Sequence, residues 1–273
     1  PSRRGVFLDS ATGRVNFWST RIEGMTDGAF VVDGGDPNVN FQGQILNDAS
    51  TGYAVEVRDT VGGTINIAVG GTPVGSNVAN SVIDDGGLGV IVENAAGTVN
   101  IGNADLIDNP TAVAVVDSTG TVRLTDSFIS HSDGTGAAVS VIDGSPTVII
   151  GPSNTIDNTG GRLLLVQGTT GGSVTLAAAT QGGISDQGGT GILVDNASGD
   201  VFVTNATIDS SSDGIRVQDS DGDQVFTNVL VTGAGGTAGV YLLNNDGGST
   251  TLTNVDITTN GSVGLLAVGD PLD

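Results

Sequence analysis

Apolar and polar residues alternate along most of this chain in short runs, each closed by Gly, Asn, Asp or Ser. Alternation of period two marks a half-buried strand, and the closing residues are those that turn a backbone. Written under one another, GILVDNASGDVFVTNATIDSSSDG (191–214), GIRVQDSDGDQVFTNVLVTGAGGTA (214–238) and GVYLLNNDGGSTTLTNVDITTNGSV (239–263) share one frame. Each has a Gly, an alternating apolar pair, an Asn or Asp, a turn containing Gly, a second alternating pair, an Asn and a short third strand. The segments GVIVENAAGTVNIGNADLIDNPT (89–111) and AVAVVDSTGTVRLTDSFISHSDGTG (112–136) fit it too.

Two polar columns set the register. The first reads Ser10, Asp33, Asp59, Asn94, Asp117, Asp143, Gln167, Asn196, Asp219, Asn244. The second reads Ser19, Gly43, Asn80, Asn103, Asp126, Ser153, a slot near Ala178, Asn205, Asn228, Asn254. The steps from Asn80 to Asn103, Asn103 to Asp126 and Asn205 to Asn228 are all 23 residues. A repeat of this length with three strands in it is one coil of a solenoid; leucine-rich repeats have similar lengths but need a Leu/Asn frame that is missing. The fold expected is all-β: a right-handed parallel β-helix of about eleven coils, each of three short strands, occupying residues 1–273 as one domain. At about 4.8 Å per coil this is a rod of roughly 50 Å.

Alternation assigns faces. The inward set includes Val6 and Leu8, Val55 and Val57, Val90 and Val92, Leu163 and Leu165, Ile192 and Val194, Ile215 and Val217. The corner Asn residues are expected to point inward, bonding turn backbone and the Asn one coil away. Outward on the first strand stand Phe30, Ile91, Leu164, Leu193 and Tyr241, an apolar stripe that predicts an interface with another chain, another domain or a long loop. Two polar islands share that face: Glu56, Arg58 and Glu93 on adjacent coils, and Asp195, Arg216 and Gln218 on another pair.

The coil frame and the Asn ladder at 80, 103, 205, 228 and 254 resemble the pectate-lyase-like superfamily of parallel β-helices. The resemblance covers nearly the whole chain and is one of fold. It implies a polysaccharide lyase or hydrolase acting on an acidic polysaccharide, with Glu56, Arg58, Glu93, Asp195 and Arg216 as catalytic candidates. The polygalacturonase elements are absent, since the chain has one His (His131, in SHSDG) and no Lys. A carbohydrate-binding, phage-spike-like trimer is a further reading of the same face.

Composition narrows the field. Gly accounts for 45 of 273 residues without a three-residue period, which excludes collagen. The net charge is −22 and all eight basic residues are Arg. Such a field repels nucleic acid and anionic membranes, and no apolar run is long enough for membrane insertion. No Cys is present, so there is no disulfide. Aromatics make up only 4 %, thin for a sugar-stacking cleft. Around Gly222, Asp219, Asp221 and Asp223 offer oxygens at alternate positions, a partial match to a Ca²⁺ loop that makes Ca²⁺ the one cofactor to consider.

Two coils carry inserts, AVGGTPVGSNVA after Ile67 and AAATQGGISDQGGTG (177–191), which read as spacer or packing loops. Pro1-Ser2-Arg3-Arg4 leads directly into a strand and the last coil is unfinished, so a processed product or a fragment of a longer surface protein is expected. Together these features point to a non-enzymatic structural or adhesive module, secreted or at the cell surface. Its expected partners are itself or neighbouring domains, with polysaccharide as the ligand class to test.

Overall fold

The computed structural model describes residues 4–46, 52–67, 81–84, 88–107, 109–131, 136–245 and 247–269. The chain winds into a parallel β-solenoid, with no helix among the described residues. Val, Ile and Thr at alternating positions suit a pleated surface, and each strand pairs in parallel with its equivalents one coil away. Three sheets run along the axis. In the first, Val6, Phe30, Val55, Val90, Val113, Val139, Leu164, Ile192, Ile215 and Val240 lie over one another. In the second, Phe17, Phe41, Ile67, Ile101, Leu124, Ile150, Leu176, Val203, Phe226 and Leu252 do the same. The third stacks Leu106, Ile129, Ile156, Ile184, Ala206 and Val229. About nine turns separate the first complete coil from the last, which makes ten complete coils, slightly fewer than the eleven expected. The difference arises because Val263–Val268 only opens another coil.

The core is one continuous column of these side chains. Near its N-terminal end the rings of Phe17, Phe30 and Phe41 meet, with Phe30 and Phe41 centroids 5.1 Å apart. Coils approach closely at the turn between the first two sheets. There a Cβ on Gly120 would strike the Gly97 carbonyl oxygen, and one on Gly222 the Gly199 carbonyl oxygen, so glycine is required by space.

The corners are built by backbone conformation. Ser10, Asp59, Asn94, Asp117, Asp143, Asn196, Asp219 and Asn244 all sit in the left-handed region, with φ between 47° and 56°. Asn and Asp tolerate that region better than other non-glycine residues, because a short polar side chain bonds locally. Gly34 and Gly168 fill the same slot in the two coils where the sequence frame put Asp33 and Gln167; register sets Asp33 opposite Arg58 and Gln167 opposite Asp195, one residue earlier. At the second corner Ser19, Asn103, Asp126, Asn205, Asn228 and Asn254 share the conformation, while Gly43, Ser153 and Ala178 do not; Asn80 lies outside the described residues.

The corner ladder runs on the outside, contrary to the inward orientation expected. Asp59, Asn94, Asp117 and Asp143 are exposed, and Asn94 Nδ2 donates to Asp59 Oδ1 at 2.6 Å. At the second corner Asn228 Nδ2 donates to Asn205 Oδ1 (3.1 Å) and Asn254 Nδ2 to Asn228 Oδ1 (3.0 Å). The buried polar atoms of the bend are served by the following residue instead. Ser118 Oγ donates to the Val116 carbonyl and accepts from Ala95 N–H, and Ser220 Oγ repeats this with Gln218 and Ala197.

Of the two inserts, one expectation changes and the other is not reached. The 177–191 insert is no mere spacer, since Ile184–Asp186 is the third-sheet strand of its coil, pairing with 156–158 and 206–208. The insert after Ile67 lies outside the described residues.

Candidate functional site

The outer face of the first sheet is the place where side chains from successive coils converge. Register puts Phe7, Val31, Glu56, Ile91, Ala114, Ser140, Leu165, Leu193, Arg216 and Tyr241 in one outward stripe. Of the five predicted interface residues, Ile91, Leu193 and Tyr241 belong to it. Phe30 and Leu164 do not: both are 0 % exposed members of the core. The error is one of parity. In FVVD and RLLLVQ apolar residues occupy both faces, so the sequence alone does not say which set is inside; Leu164 and Val166, rather than Leu163 and Leu165 as a pair, occupy the inward positions. Val31 (0 %) and Ile91 (8 %) are also buried, by the chain itself, although they face outward. Leu193 and Tyr241 are half-buried.

The first polar island forms around Arg58. Its Nη1 lies 2.7 Å from Glu56 Oε1 and its Nη2 3.0 Å from Asp33 Oδ2. Partial burial works against the guanidinium charge, but Glu56, Asp33 and Asp59 outweigh it and hold the group above its usual range. Glu93 stands opposite Arg58 in register but is not its ion-pair partner. It acts on Tyr53, whose phenol is raised by burial first and then by the carboxylates of Glu93 and Glu56, and so stays protonated. Asp33, Arg58, Asp59, Glu93, Asn94 and Asp117 line a shallow polar depression there. The sequence reading missed Asp33 because it placed that residue in the corner column.

The second island is a closed chain of contacts. Gln167 Nε2 and Gln218 Nε2 both donate to Asp195, each at 2.8 Å. Arg216 Nε donates to Gln218 Oε1 at 2.6 Å, its Nη1 lies 3.5 Å from Asp213 Oδ2, and its guanidinium sits 5.0 Å from the Tyr241 ring centroid. Asp213, only 3 % exposed, also accepts from the backbone N–H groups of Thr237 and Ala238. Sequence inspection missed Asp213, since its SSDG context reads as an ordinary turn. In both islands the Arg is engaged by the carboxylates or amides that surround it, and Glu93 stays outside the first clamp.

The Asp219, Asp221 and Asp223 set does not converge. Asp219 is a corner residue accepting from Asn244 Nδ2, whereas Asp223 Oδ1 accepts from Ser249 N–H and Oγ–H. Those two bonds from Ser249 hold the Asp223 carboxyl below its usual range. Among the described residues no group of three or more acidic or His side chains is placed to hold a metal ion.

A second amide ladder escaped the sequence reading. On the outer face of the second sheet Asn40 Nδ2 donates to Asn16 (2.9 Å), Asn66 to Asn40 (2.9 Å) and Asn100 to Asn66 (2.8 Å). Its signal was present in the repeated VNF, VNF, INI and VNI tripeptides, at 15, 39, 65 and 99. Comparison of the chain with family models, with curated proteins and with solved structures gave no match.

Proposed function

We propose that this chain is a non-enzymatic, extracellular structural or adhesive β-helix module, a rod-like part of a surface protein. The observation that supports it is where the outer polar groups go. Arg58 is clamped between Asp33 and Glu56, Asp195 is held by two Gln side chains, and Asn side chains bond from coil to coil on two faces. These contacts join one coil to the next, as a load-bearing solenoid requires, and leave the Arg of each island committed to its neighbours. The superfamily kinship suggested by the coil frame, the surface location and the assembly with like modules belong to the same reading.

The experiment is incubation of the purified chain with acidic polysaccharides, following unsaturated uronic acid by ultraviolet absorbance and new reducing ends. No turnover is expected. Turnover that disappears in both Glu56→Gln and Asp195→Asn would replace this reading with the lyase or hydrolase one. A carbohydrate-binding role draws on one observation, Tyr241 beside Arg216 at the half-exposed end of the stripe. Calorimetric binding of an oligosaccharide that is lost in Tyr241→Ala would establish it.

A further inference from the structure

The seventh coil buries a carboxyl group where the coils that follow it bury hydrocarbon. Along the second inward row of the third sheet, Asp186 lies over Asn158 on one side and Ile208 on the other, with Val231 and Ile257 beyond. Asp186 is 1 % exposed and Asn158 0 %. Asn158 Nδ2 donates to Asp186 Oδ1 in a very short contact. The other oxygen of each group, Asp186 Oδ2 and Asn158 Oδ1, is buried and has no hydrogen-bond partner. Buried acceptors without donors are rare in folded proteins and call for an explanation. Here both belong to one pair of side chains, and a single proton would serve both.

We propose that Asp186 is kept as the neutral acid, its Oδ2–H donating to Asn158 Oδ1 while Asn158 Nδ2 donates to Asp186 Oδ1, and that this cyclic acid–amide pair is a pH-sensitive latch between the sixth and seventh coils. On ionisation the proton leaves for solvent, Asn158 Oδ1 loses its donor, Asp186 Oδ2 becomes an acceptor that no group serves, and a carboxylate is left against Ile208 and the Gly191 backbone. Of the surrounding charged groups, Asp209, an exposed residue on the next strand, disfavours the carboxylate through its charge. Asp157 is bonded to Ser185, and Asp213 to Arg216 and backbone N–H groups. His131 pairs with Asn158 through its backbone.

Burial pushes the Asp186 carboxyl up to about 7 from 3.8, against the Asn158 amide and the Gly188 N–H, with Asp209 adding to the rise. The folded state thus holds this proton more tightly than the unfolded chain. The stability it contributes is complete below about pH 4, declines as pH rises towards about 7, and is gone above that. The test is infrared spectroscopy of the whole chain at about pH 6, where ordinary carboxyls are ionised. A protonated carboxyl C=O band is expected that vanishes above about pH 8 and is missing from Asp186→Asn. Wild type should also lose melting temperature relative to Asp186→Asn between those pH values. Identical infrared bands in the two proteins, or parallel melting curves, would overturn the proposal. Should Asp186→Asn not fold, carbon NMR titration of wild-type carboxyls decides: one group titrating near neutrality supports the latch, and all titrating below about pH 5 refutes it.

Discussion

An Asn at a corner of this solenoid, such as Asn228, does two things at once. It holds the left-handed backbone that bends the chain, and its side chain bonds the equivalent residue one coil away. Asn228, with φ 54°, donates to Asn205 and accepts from Asn254. These roles separate by mutation. Asn228→Gly keeps the bend and loses the amide bonds, whereas Asn228→Val loses the bonds and adds left-handed strain of about 1–2 kcal/mol. Urea unfolding should therefore rank wild type above Gly above Val; equal stability of the two variants would mean that the corner conformation is not strained. At this scale the sequence was readable, because turn chemistry is local. It misled at Asp33 and Gln167, since Gly34 and Gly168 satisfy the same backbone demand and carry no polar side chain to mark the slot.

A strand of this fold is legible as a strand, but its facing is not always so. Ile215 and Val217 alternate cleanly with the polar Arg216 and Gln218, and their inward assignment follows from the run itself. Phe30-Val31-Val32 and Leu163-Leu164-Leu165-Val166 are apolar on both sides, and only pairing with the coils above and below fixes which side chains enter the core. Phe30 tests the result. As a core ring in contact with Phe17 and Phe41, its replacement by Ala should cost about 3–5 kcal/mol in chemical denaturation of the isolated chain. A surface phenylalanine would cost far less. The islands show the same division: Glu56 and Asp213 lie two and three residues from their Arg partners in the chain and could be paired on paper, while Asp33 reaches Arg58 only through the register.

The whole molecule is a narrow column carrying a net charge of −22. Rows of carboxylates recur at corners such as Asp117 and Asp143, one coil apart and both exposed. Repulsion along the column opposes the compact state and is screened by salt. Between about 0.01 M and about 1 M sodium chloride the Debye length falls from about 30 Å to about 3 Å. The melting temperature should climb over that range, and a flat or falling curve would show that inter-coil bonding already neutralises the field.

What the sequence determined by itself is the repeating coil: strand, corner, strand, corner, strand, at a period set by short-range alternation and by residues suited to left-handed bends. Those preferences act within a few residues, so they can be read from a few residues. What only the tertiary structure decided is which groups meet. The pairing of Asn158 with Asp186 spans 28 residues of chain, the clamp on Arg58 joins two coils, and the buried stretch around Val31 and Ile91 depends on what the rest of the chain lays over it. Contacts of that kind come from stacking one coil on the next, a geometry that no single coil encodes.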